Sequence, residues 1–459
     1  CIRDRISRLI ESTRSVIAEF GLDVPLMIVK GDGTLLSAAE ARRRPVETLL
    51  SGPAASLIGA RHLSGLQDAL VVDMGGTTTD MAALTGGRVE VAAEGARVGP
   101  WQTHVEAARV RTVGLGGDSL FRSPDATLDR LSVGPRRVEP LCTLAERFPA
   151  VVETLARIDR KHRKRFPFAV DPCTFYRRAR AVDDGADRRL KGFAETPVNE
   201  YLLLSGKSPS LMQWDLEKWE IAGYLLRSAL TPTDLLVAGG TLSFGSRDAA
   251  TLGVSIFARR LKVEPARLAE AMVRAVEKKI CSTAATYLAG RDAEAVNALC
   301  PYWFDGNDRK NGRGIGLRHT LTLTHPVIGT GAPAAAWLPG AFGRMHTRCR
   351  LPDAYSVGTA VGAVVGAVDF TLTAEIRPAA SGRCVLYLPV ARRDFDDMDA
   401  AVREGRSTLE SLARDRMRKN RVAQPVLTFS EHRKAVDTPF GEVYMATELR
   451  LRATGRIQV

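Results

Sequence analysis

Residues 71–80 read VVDMGGTTTD, an apolar run that ends in two glycines, three threonines and a flanking pair of acids. Few folds use that order. Glycines after a buried strand let the backbone turn tightly and approach a ligand with no Cβ in the way. Successive N–H groups in such a turn form a concavity suited to anions. The hydroxyls of Thr77, Thr78 and Thr79 add donors for phosphate oxygens. Asp73 and Asp80 repel a phosphate directly, but they suit a Mg²⁺ ion held through its waters, or the orientation of an attacking water. The plain alternative is a β-turn with glycine chosen for positive φ and threonine for strand propensity. The two flanking acids and the hydroxyl run favour the phosphate reading. DALVVDM, DMAAL and RVEV, joined by turns of a few residues, predict an antiparallel meander rather than a βαβ crossover.

Two further glycine loops accompany the first. Gly116, Gly117, Asp118 and Ser119 follow the predicted strand ARVRTV, and Gly329, Thr330, Gly331, Ala332 and Pro333 lie between a predicted strand and an Ala-rich helix. Pro near a first helical turn, with free N–H groups beside it, makes an anion or nucleotide site there. Taken singly, each loop is equally well explained as a turn or a capped helix start. No GxxxxGK[ST] is present, so a P-loop is excluded, and no GxGxxG opens a helix after a strand. The absence of GxSxG argues against a serine hydrolase.

A chain of 459 residues is expected to divide into two or three lobes. The net charge of +13 is concentrated in RIDRKHRKRF, YRRAR and RRLK between 157 and 191, without a zinc-finger or aromatic-interleaved pattern, so no nucleic-acid partner is expected. Seven scattered cysteines with no CxxC pair give neither a disulfide framework nor a zinc site, and the chain reads as cytoplasmic. The run VGTAVGAVVGAV at 357–368 is shorter than the ~18 residues that span a bilayer, so no membrane partner is expected. Gly358, Gly362 and Gly366 recur every fourth residue, which lets another helix approach closely.

Along the chain, the pattern predicts a helix over 6–19, a strand at 25–35 and helix over 45–63 interrupted at Gly52-Pro53. A polar stretch at 121–215 reads as an insertion, and helices follow over 216–290. Residues 317–342 read as an alternating strand, a glycine turn and a helix. The tail carries a strand near 383–390, a helix near 396–418 and two final strands.

The order RPVETLLSGPAASLIGA, VVDMGGTTTD, TVGLGGDS, LTPTD, HPVIGTGAPAAAWLP and AVGAVVG resembles the hydantoinase A / 5-oxoprolinase family, from about residue 25 to the end. The resemblance implies an α/β, actin-like ATPase (ribonuclease-H-like) lobe with an inserted segment and a C-terminal α/β subdomain. It divides the chain into 1–66, a remnant of an N-terminal lobe with a connecting helix, then 67–385, the nucleotide-binding domain, then 386–459. It implies ATP and Mg²⁺ as cofactors, with Asp73 and Asp80 as catalytic and metal-holding residues. Gly75, Gly76, Thr77, Thr78, Thr79, Gly116, Gly117, Asp118, Ser119, Gly329, Thr330, Gly331 and Ala332 would face the nucleotide. The implied activity is ATP-dependent opening of a small cyclic amide, such as a hydantoin or 5-oxoproline, by phosphorylation of its carbonyl. The alternatives are a ketone carboxylase subunit and a non-catalytic nucleotide-binding protein of the same fold. Implied partners are a hydantoinase B-like subunit and a homo- or hetero-oligomer. Because the chain opens on Cys1 and lacks the family's earlier glycine–threonine loop, it is expected to be an N-terminally truncated fragment, inactive alone, with CIRDR as a possible scar.

Overall fold

Strand Ala69–Met74 is buried on both faces, as its uninterrupted apolar sequence requires. It lies between Thr79–Thr85 and Val327–Thr330 in a sheet whose far edge is Cys349–Arg350. The computed structural model describes residues 2–92, 94–98, 101–161, 170–180, 189–190, 193–204, 209–305, 320–379, 382–438 and 441–457. Much of the basic segment at 157–191 therefore lies outside the described residues. The chain forms two compact units. One comprises residues 1–67, 84–109 and 358–459; the other comprises 68–83 and 110–357. The first and last segments separated by the sequence reading, 1–66 and 386–459, thus both fall in the first unit.

In the first unit, five strands form a sheet in the order Arg392–Phe395, Cys384–Tyr387, Val368–Pro378, Gly441–Gly455, Val426–Thr438, every neighbour antiparallel. Helix Met398–Lys419 buries Ala401, Gly405, Leu409, Ala413 and Met417, four residues apart, against Ile376, Leu386, Leu449 and Leu451. Asp397 starts that helix by accepting from the N–H of Ala400 at 2.9 Å. The glycines at 358 and 362 bring helix Gly358–Val365 against helix Ser51–Ser64, as their spacing predicted. A Cβ on Gly362 would stand 1.8 Å from the carbonyl oxygen of Ala55, and one on Gly59 would stand 1.9 Å from that of Gly358. Ser56 and Thr359 share a hydroxyl–hydroxyl bond of 2.5 Å across this contact. The break expected at Gly52-Pro53 lies earlier. Leu50 takes a left-handed φ of 60°, and Ser51 begins a helix that holds Pro53 in its first turn, where its missing N–H costs nothing.

In the second unit, Val327–Thr330 runs parallel to Ala69–Met74, pairing Thr330 with Asp73. The Thr79–Thr85 strand follows as the return of a hairpin, and Arg111–Val113 pairs antiparallel with its start. Helices Leu141–Arg147, Ala150–Lys161, Arg247–Arg260, Pro265–Ala289 and Ala334–Gly343 surround this sheet with a core that includes Leu141, Leu155, Phe257, Met272, Trp337 and Phe342. Residues 121–215 supply Phe121, Leu144, Ile158 and Phe175 to the same core, because their apolar positions are spread mostly over short elements that periodicity alone does not reveal. A second sheet, in the order Glu139–Pro140, Leu225–Ala229, Phe175–Arg178, Val198–Asn199, includes a strand at 225–229 inside the stretch read as helical. Two of its buried residues, Leu225 and Ala229, are compatible with either period. The alternation over 320–324 does not become a strand; only Val327–Thr330 does, where both faces are buried.

Candidate functional site: two interlocked glycine turns at a cleft

Asp73 stands at the end of its strand, half-buried, and accepts a hydrogen bond from the hydroxyl of Thr330 at 3.2 Å. Gly331 must be glycine here. Its φ is +94°, and a Cβ would stand 2.1 Å from the carbonyl oxygen of Met74 and 2.8 Å from Asp73 Oδ1. The first and third loops therefore close on one another. The second closes on the first. The N–H of Gly117 donates to the carbonyl of Gly75 at 3.1 Å, and that of Asp118 to Gly76 at 2.8 Å. A Cβ on Gly116 would fall 2.4 Å from the carbonyl carbon of Gly76, so the two turns are in direct backbone contact.

Several predicted phosphate donors are taken up by these internal bonds. The N–H of Gly75 donates to Thr78, that of Gly116 to Ser119 Oγ, and that of Gly331 to Tyr355. The buried hydroxyl of Thr79 donates to the carbonyl of Leu115 at 2.7 Å. Thr79, Gly116, Ser119, Gly329 and Thr330 are buried, with Gly329 and Thr330 inside the strand. The N–H groups of Gly76, Thr77 and Thr78, the hydroxyls of Thr77 and Thr78, and the N–H of exposed Ala332 have no chain partner among the described residues; of these residues, Gly76 and Ala332 line the cleft described below.

Asp80 begins the return strand and accepts from the hydroxyl of Thr112 at 2.5 Å. Burial pushes its carboxyl up from the ordinary aspartate value, the Thr112 bond opposes this, and the charge of Asp73 raises it further. The two acids thus feel one another. Among the described residues no group of three or more His, Cys, Asp or Glu side chains gathers as a metal cage. A Mg²⁺ ion carried by phosphates needs only one or two carboxylates and otherwise keeps its waters, so Asp73 and Asp80 suffice in number, although neither lines the cleft described below.

The turns open onto a cleft of about 1220 Å³, lined by Gly76, Gly117, Asp118, Ala332 and Pro333 on the loop side. The cleft is also lined by Arg137, Glu139, Arg177, Glu220 and Arg227, with Leu225, Leu236, Leu242, Phe244 and Trp337 supplying apolar wall. A volume above the ~300–1,000 Å³ of common ligand sites admits a nucleotide with room beside it. Residues outside the motifs hold the loops in place. Lys279 Nζ, whose pKa burial lowers, donates to the carbonyls of Gly114 at 3.1 Å and Val133 at 2.7 Å. Thr233 donates its hydroxyl to Gly117 at 2.9 Å, and buried Asp234 accepts from the N–H groups of Leu141 and Cys142. The sequence signalled the last pair through the helix-start pattern Thr231-Pro232-Thr233-Asp234; nothing in it marks Lys279 or Arg137.

Residues 1–150 match the family model described as hydantoinase/oxoprolinase. This segment contains the first two glycine turns together with both acids. The caprolactamase subunit alpha of Pseudomonas jessenii is 31% identical over 135 residues, which are 28% of this chain and 19% of the relative. The structure is similar to nucleotide-free acetone carboxylase, with a TM-score of 0.55 at 12% identity over 98% of this chain and 55% of that one. For the ATP-dependent caprolactamase from Pseudomonas jessenii the values are 0.48 and 15%, over 99% and 57%. The fold is thus mixed α/β and of the type found in acetone carboxylase, in line with the α/β class expected from the sequence. The chain spans about half the length of these solved structures and a fifth of the curated relative. Among the described residues no helix is long and apolar enough to cross a membrane.

Proposed function

We propose that the hydantoinase/oxoprolinase-type cleft binds Mg-ATP and that, within a larger enzyme, it drives hydrolysis of a cyclic amide. The observation that carries this reading is the interlock of the turns at 75–78, 114–119 and 329–333, which leaves the N–H and hydroxyl donors of Gly76, Thr77 and Thr78 without a partner among the described residues, with Gly76 lining the cleft. Asp73 and Asp80 would hold the Mg²⁺ ion, and the ion would supply charge neutralisation for the phosphates. The chain's own part is to cradle the phosphates and to exclude water from them. An amide carbonyl oxygen that takes the terminal phosphoryl group of ATP, releasing ADP, leaves a carbon open to water. Water then opens the ring and inorganic phosphate departs. A hydantoin, 5-oxoproline or lactam meets this chemistry, and the likeness to a caprolactamase subunit favours the lactam class. That relative is a subunit, which supports a hydantoinase B-like partner and a hetero-oligomer here.

A second reading, ATP-dependent carboxylation of a ketone, is supported by the shared fold with acetone carboxylase. ADP release by the full-length protein, expressed with any B-type subunit, separates the two. Stimulation by a cyclic amide supports ring opening; stimulation only by ketone plus bicarbonate moves the protein to the carboxylase reading. ADP release that neither stimulates, despite bound nucleotide, leaves a non-catalytic nucleotide-binding protein.

A further inference from the structure

Arg137 reaches into the cleft from strand Ser132–Arg137 and pairs with the loop carboxylate. Its Nε donates to Asp118 Oδ2 at 3.1 Å, and its Nη2 stands 3.0 Å from the same oxygen in an ion pair. The pairing is asymmetric. Asp118 keeps only 20% of its side-chain surface, whereas Arg137 keeps 63%. The carboxylate lies directly over the first turn, since a Cβ on Gly76 would stand 3.1 Å from Asp118 Oδ2. A guanidinium carries five N–H donors in a rigid fork. One of them, on Nε, is given to Asp118, Nη2 lies in ion-pair range of the same carboxylate, and Nη1 has no chain partner among the described residues. The fork is therefore fixed on one edge and presents its other edge to the cleft, beside the donors of Gly76. A fixed, exposed arginine beside unpaired backbone donors is suited to a planar or tetrahedral oxyanion.

We propose that Arg137, positioned by Asp118, contacts a phosphate oxygen of the nucleotide. This inference rests on the Mg-ATP reading of the cleft. Asp118 is then a positioning residue whose carboxylate aims the arginine and does not meet the phosphate itself. Arg137 also compensates the carboxylate's charge, which would otherwise repel the incoming phosphates. Burial raises the Asp118 pKa, and the hydrogen bond and charge of Arg137 oppose that shift.

The test is calorimetric titration of Mg-ATP into this chain as wild type, Arg137→Ala, Arg137→Lys, Asp118→Ala and the double alanine variant. Arg137→Ala is expected to weaken ATP about ten-fold, the worth of one charge-assisted hydrogen bond. Arg137→Lys should recover only part of this, because a compact ammonium lacks the planar fork that meets Asp118 on one edge and the phosphate on the other. Adding Asp118→Ala to Arg137→Ala should cost almost nothing further, since the aimed group is already gone. Unchanged unfolding midpoints would show that each variant is folded. If wild type binds ATP and Arg137→Ala binds within about two-fold of it or more tightly, the role of Arg137 is overturned while the cleft reading survives. If wild type binds no ATP, the cleft reading itself is overturned, and this inference falls with it.

Discussion

Gly116→Ala is the sharpest perturbation of the interlocked turns. Its new methyl carbon would stand 2.4 Å from the carbonyl carbon of Gly76 and 2.5 Å from the carbonyl oxygens of Gly75 and Gly76. Comfortable carbon contacts lie at ~3.5–4.0 Å, so one turn must retreat by about 1 Å. The obstacle is backbone on every side, so no flexible side chain can give way. A 1 Å retreat stretches the Gly117-to-Gly75 and Asp118-to-Gly76 hydrogen bonds, now 3.1 and 2.8 Å, beyond useful length. Two such bonds at about 1 kcal/mol each, with ~1–3 kcal/mol for overpacking, total roughly 3–5 kcal/mol. Urea unfolding of the variant should show this loss, and Mg-ATP binding should vanish under conditions where it remains folded. Gly117→Ala is the control. Its Cβ would meet mainly the hydroxyl of Thr233 at 2.8 Å, a side chain that can rotate, so a smaller loss is expected. If Gly116→Ala unfolds at the wild-type midpoint and binds nucleotide normally, the turns are not locked together and the reasoning fails.

Asp234→Ala removes a buried carboxylate that accepts from Leu141 N–H at 3.2 Å, Cys142 N–H at 2.7 Å and the hydroxyl of Thr231 at 2.8 Å. A loss of about 3 kcal/mol in chemical unfolding is expected, and a loss under about 1 kcal/mol would contradict the capping role. Glu200 is buried, and desolvation first, then the charge of Asp171, raise its carboxyl to about 7. The fold therefore favours the protonated acid. That stabilisation is present below the ordinary value of 4.5 and is lost as pH rises through about 7. Glu200→Gln keeps an acceptor for Gln213 and should be the more stable protein above pH 7, by an amount of order 3 kcal/mol. Equal pH profiles of unfolding for the two proteins would refute this.

The turn sequences were legible because glycine, threonine and aspartate at a strand end answer to few backbone geometries. Gly331 and Gly116 have a physical reason to be glycine, and Gly358 and Gly362 met their partner helix through the spacing that suggested one. What stayed hidden was how each donor is spent. A sequence lists the N–H groups of Gly75, Gly116, Gly117 and Gly331, but only three-dimensional closure shows that the first two are spent inside their own turns and the others on neighbouring loops. The same holds for Thr79, whose hydroxyl could equally have faced a ligand or, as it does, the carbonyl of Leu115. Arg137 and Lys279 were invisible because long cations on ordinary strands and helices carry no local signature; their roles arise from contacts over 19 and 165 positions of chain. The stretch 121–215 resisted reading because most of its elements are short; the exception is helix Ala150–Lys161, whose Val151, Leu155 and Ile158 recur at helical spacing and enter the core.

The most direct measurement of the central claim is titration of ATP into this chain with and without Mg²⁺, for wild type and Asp73→Ala. The account predicts that wild type binds ATP in a Mg²⁺-dependent manner and that Asp73→Ala loses the Mg²⁺ dependence while keeping a near-wild-type unfolding midpoint. Mg²⁺-dependent binding that survives in Asp73→Ala would contradict the phosphate–metal role of the turn at 73–80.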